Sequence, residues 1–114
     1  MAKLPEEITT TVLNLQRRLL ELTNEATATD TTIFEQFGET EATISTLEQL
    51  QNARQRLTDP YSRLCTLLLR IAESQPTAAV AILNLLAQTI EQGQAAVDAS
   101  QASIREAKRD FDIS

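Results

Sequence analysis

A chain of 114 residues, 42% apolar, can bury one aliphatic core, while two glycines and three prolines leave an all-β fold short of turn residues. Sixteen acidic against ten basic side chains give a net charge of −6, which argues against duplex nucleic acid or a membrane surface as partner, because both reward a basic face. Histidine is absent and cysteine occurs once, so histidine triads, histidine metal sites and internal disulfides are excluded.

The first segment opens with Pro5, Glu6 and Glu7, a proline suited to a first helical turn and carboxylates suited to the positive end of a helix dipole. Apolar residues then fall at Ile8, Val12, Leu15, Leu19, Leu22 and Ala26. These alternating steps of four and three predict a heptad seam on a helix over residues 5–27. Leu13 and Leu20 lie about 100° away around the helix, so apolar surface is left beyond the seam. Residues 27–32, rich in threonine, predict a break, with Thr32 and Glu35 spaced as a capping box.

A second helix is expected over 32–58, carrying Ile33, Phe37, Ile44, Leu47, Leu50 and Leu57, with a kink or an interruption near Gly38. Asp59 followed by Pro60 reads as an N-cap and a first helical residue. A shorter helix over 60–73 should therefore follow, with Tyr61, Leu64, Leu68 and Ile71 on one stripe. Ser74 or Gln75 then caps the last helix, over 76–110, with Pro76 in its first turn. Its seam steps by three and four from Leu83 through Leu86, Ile90 and onward to Phe111, narrowing to small residues in its second half. Gly93, Val97, Ser100, Ile104 and Ala107 are the candidates for a close helix contact, within the chain or between two copies. Val80, Ile82 and Leu85 add apolar surface to the first half, which is expected to lie deep in the domain.

Catalytic chemistry has little to work with. Cys65 falls at helical spacing beside Tyr61, Leu68 and Leu69, the setting of an inert core thiol. The carboxylate pairs Glu39/Glu41 and Asp110/Asp112 are two residues apart, which on a helix turns them to different faces, and Gly38 and Gly93 stand alone rather than in a phosphate-cradling loop. No catalytic residue, cofactor or metal ligand is expected. The most apolar stretch, residues 78–90, is interrupted by Asn84 and Gln88 and falls short of the roughly 18 residues that span a bilayer. With no secretory leader pattern in the first residues, a cytoplasmic location is expected.

The expected fold is all-α: a single domain over 1–114, an antiparallel helical bundle of three long helices and one shorter helix with coiled-coil-like heptad packing. The expected role is a non-enzymatic protein–protein interaction module, an adaptor, assembly factor or regulatory subunit, whose partner is another protein or itself as a homodimer. Leu13, Leu20 and Leu69, off the main seams, are the candidates for partner binding. The alternative is a small-ligand-binding bundle with an apolar pocket near Phe37, Tyr61 and Cys65.

Overall fold

A computed structural model describes residues 4–74 and 79–114. Three helices make up the described chain: α1 (Glu6–Phe37), α2 (Glu41–Glu73) and α3 (Val80–Asp110). Cross-helix contacts give their directions. Gln16 meets Cys65 and Asp30 meets Arg54, so α1 and α2 run antiparallel, while Leu15 meets Gly93 and Glu25 meets Lys108, so α1 and α3 run parallel. The result is a rod of 56 × 20 × 18 Å, close to the roughly 48 Å that helices of this length span.

Two of the three expected breaks, at 27–32 and at 58–60, are absent and the second expected helix is divided at Gly38, so four expected helices become three. Residues 27–32 continue α1 because their hydroxyls are satisfied inside the helix: Thr27 donates to the Thr23 carbonyl (2.9 Å), Thr29 to Glu25 (2.8 Å) and Thr32 to Ala28 (2.9 Å). Ala26, Thr29 and Ile33 extend the buried line across the stretch, and that burial outweighs the weak helix propensity of threonine. Thr32 and Glu35 therefore form no capping box. Pro60 is likewise not a helix start. It is buried inside α2, where it removes the donor that the Arg56 carbonyl would use, at a cost of about 3 kcal/mol; Leu57 and Leu64, both fully buried on the same line, hold the helix together across it. Asp59 accepts a hydrogen bond from the Gln55 side chain (3.1 Å) rather than capping a terminus.

Of the kink or interruption expected near Gly38, the structure has the interruption, and the chain reverses there. Gly38 adopts φ 71° and ψ −172°, and its N–H closes α1 on the Phe34 carbonyl. Thr43 completes the turn: its hydroxyl accepts from the Thr40 N–H (2.9 Å) and donates to the Gly38 carbonyl (2.7 Å), satisfying a donor that the start of α2 would otherwise leave free. A connection this short makes α1 and α2 antiparallel neighbours. Ser74 ends α2, its hydroxyl on the Arg70 carbonyl (2.7 Å). The expected helix start at Pro76 and the cap at Gln75 lie outside the described residues. At the far end Asp112 takes φ 52° and the Ile113 N–H returns to the Lys108 carbonyl (2.8 Å), a left-handed cap on α3. Phe111 there packs on Phe37 with ring centroids 5.3 Å apart.

The buried residues of α1 (Val12, Leu15, Leu19, Leu22, Ala26, Thr29 and Ile33) keep steps of three and four throughout. On α3 Leu86, Gly93, Ser100, Ile104 and Ala107 of the expected seam are buried, but Thr89 and Ala96 are buried beside them, while Ile90 and Val97 are half-buried and Leu83 is exposed. Small side chains occupy the centre of the contact and the bulkier ones flank it, which lets α3 lie close to its neighbours. Three buried hydroxyls are bonded to carbonyls, those of Thr29, Thr43 and Thr89. The fourth, Ser100, is fully buried with no hydrogen-bond partner. Ser100→Ala should raise stability by about 1 kcal/mol, because it removes a desolvated group that gains nothing. A urea midpoint that fell instead would show that the hydroxyl has a partner.

Candidate functional site

Charged side chains join the helices at three places. Arg54 pairs with Asp30 at 2.6 Å and joins α2 to α1; Lys108 pairs with Glu25 at 2.9 Å and joins α3 to α1. Arg63 donates to Gln92 at 3.1 Å across α2 and α3. Each such pair contributes modestly at a partly wet surface, but together they fix which helix edges face each other. Cys65 is half-buried, and its sulfur accepts from the Gln16 amide at 3.1 Å. Glu39, Glu41, Asp110 and Asp112 are all exposed. Among the described residues no group of three or more His, Cys, Asp or Glu is placed to hold a metal ion, and no helix is long and apolar enough to cross a membrane.

The small-residue set faces the interior of the chain's own bundle. Gly93, Ser100, Ile104 and Ala107 are buried and Val97 is half-buried. A Cβ built on Gly93 would lie 2.9 Å from Leu15 Cδ2, so at this level the Leu15 side chain of α1 fills the space beside the bare backbone of α3.

Leu13, Leu20 and Leu69 point outward, 53%, 57% and 63% exposed. Leu13 and Leu20 are seven residues apart on α1, and a further step of seven from Thr27 reaches Phe34, itself 55% exposed. Phe34 is not among the residues expected from the sequence, because the break expected at 27–32 puts it on a different helix and Thr27 interrupts the apolar spacing. A shallow depression beside Leu20 is lined by Arg17, Glu21, Thr23, Asn24 and Thr27. Leu69 lies on α2, at the level of Leu13 by the antiparallel pairing of Gln16 with Cys65.

Two expectations are corrected here. The first turns of α3 are not deep in the domain: Val80, Leu83 and Leu85 are exposed and form an apolar tip. Nor do Phe37, Tyr61 and Cys65 surround one pocket. Gln16, the partner of Cys65, lies about 32 Å along α1 from Phe37, and Phe37 instead closes the opposite end against Phe111. No protein-family model matches the chain, and no curated protein or solved structure is significantly similar to it.

Proposed function

We propose that this protein is a non-enzymatic helical interaction module of the cytoplasm, an adaptor, assembly factor or regulatory subunit, that works by presenting helix faces to another protein chain. The observation that carries the reading is the line of Leu13, Leu20 and Phe34, each more than half exposed on one face of α1. Single exposed leucines are ordinary. A line repeating every seven residues is the pattern by which one helix packs on another, as in coiled coils, and here it is additional to the line that builds the core.

The test is native mass spectrometry of the chain purified from its own host, beside the variant Leu13→Gln/Leu20→Gln/Leu69→Gln. Glutamine keeps helix propensity and these positions are exposed, so the thermal midpoint should move by less than a few degrees while a co-purifying protein chain is lost. A co-purifying small molecule instead of a chain would favour the ligand-binding alternative. A variant that keeps its partner would remove these leucines from the binding surface.

A further inference from the structure

We infer that the groove between α2 and α3 docks an acidic helix of a different protein chain, one whose carboxylates repeat every seven residues. The inference rests on the interaction-module reading and names the chemistry of a partner at a surface separate from the α1 stripe. Three arginines of α2, Arg56, Arg63 and Arg70, are exposed and spaced seven apart. Seven residues fall about 20° short of two full turns, so the three lie on one line, with about 10.5 Å between neighbours. In a chain of net charge −6 this is a basic line on an acidic protein.

The line borders α3. Arg56 flanks a depression whose floor and far side are Pro60, Ala95, Ala96 and Ala99, and Arg63 flanks the next depression along α2. Ala95 and Ala99 are exposed, and side chains this small let a further helix settle close to the backbone of α3. Pro60 also leaves the Arg56 carbonyl without its ordinary helical donor, an acceptor at the same depression. Among the described residues, none of the three arginines is ion-paired: the three salt bridges use Arg18, Arg54 and Lys108. Arg63 donates to Gln92 at 3.1 Å, a neutral acceptor that leaves its charge uncompensated. Asp59 is the carboxylate that shares both depressions, and it accepts from the Gln55 amide.

Charge and spacing select the occupant. Arginine forks recognise carboxylates, and a helix with glutamate or aspartate every seven residues repeats at the same 10.5 Å or so. This chain carries at most two carboxylates at successive steps of seven, Glu41 with Glu48 and Glu91 with Asp98, so a second copy does not supply the complement and a different chain does.

The probe is a fluorescently labelled, alanine-based helical peptide with three glutamates seven residues apart. Its control has the same composition with the glutamates five apart, which spreads them around the helix. By fluorescence anisotropy at low salt the first should bind at least tenfold more tightly than the second. Arg56→Gln/Arg63→Gln/Arg70→Gln should weaken binding about tenfold or more, the sum of three exposed pairs, with the thermal midpoint held. Asp59→Asn should act in the opposite direction and tighten it. Equal affinity for the two peptides overturns the inference, as does an arginine variant that binds like the parent. A single-stranded DNA oligomer that binds more tightly than the peptide overturns the acidic helix as the occupant. Native mass spectrometry of chains purified from their own host separates this inference from the reading beneath it. If the arginine variant keeps a partner chain that the Leu13, Leu20 and Leu69 variant loses, the groove is overturned and the interaction-module reading stands.

Discussion

Leucine in place of Gly93 is expected to cost the fold about 3 kcal/mol, the upper range for forcing extra carbons into a packed contact. The space is already taken: even a single methyl group at this position would lie 2.9 Å from Leu15 Cδ2, with two further Leu15 carbons at 3.5 and 3.6 Å. Alanine and leucine should therefore separate sharply. Alanine asks only the tip of Leu15 to move by a few tenths of an ångström, and it recovers roughly 1 kcal/mol that glycine forfeits inside a helix, so Gly93→Ala should be near neutral. Leucine adds three more carbons on a line where Leu15, Leu19 and Ala96 are all buried, and it must push α3 off α1. Ser100→Leu, fully buried on the same line, should act in the same direction. Urea denaturation of the four chains gives the comparison. A leucine variant with the parent's midpoint would mean that α1 and α3 do not approach closely at this level.

The close approach explains which parts of the fold were legible in the sequence. In α1 the core positions are large and aliphatic, so Val12, Leu15, Leu19 and Leu22 announce themselves by spacing alone. In α3 the core centre is Thr89, Gly93, Ala96 and Ser100; Gly93 and Ser100 lie on the expected seam, but at two positions the greasier Ile90 and Val97 draw a pattern-based reading away from Thr89 and Ala96. Hydrophobicity locates a helix face well only where burial and side-chain size agree. The misplaced boundaries have a related cause. Threonine runs and Asp59–Pro60 are local signals, and each was overridden by core residues on both sides: Ala26 and Ile33 in one case, Leu57 and Leu64 in the other. For the candidate site, Leu13 and Leu20 stood out by falling off the seam in the part of α1, up to residue 27, that the spacing predicts. Phe34 could not, because it becomes the next member of their stripe only once residues 27–32 are helical.

The real boundary makes the second large prediction. Gly38→Ala should destabilise the bundle by about 1–3 kcal/mol, because φ 71° with ψ −172° is a backbone region that only glycine occupies without strain. Nothing lies within 4 Å of a Cβ at this position, so the effect is free of packing and isolates the backbone term. It should also exceed the 0.4–1 kcal/mol that alanine typically gains by narrowing the unfolded ensemble. A D-alanine introduced by semisynthesis provides the opposite sign: its preferred angles are the mirror image of an L-residue's, the observed pair mirrors ordinary extended backbone, and the turn should become more stable than with glycine. The two epimers differ in nothing but handedness. A midpoint equal for both would show that the reversal does not use this conformation. Strain in the L-alanine chain has one further outlet, since straightening the turn lets α1 run on into α2 and pair with the helices of another chain. The L-alanine variant should then gain a concentration-dependent swapped dimer that the D-alanine chain lacks.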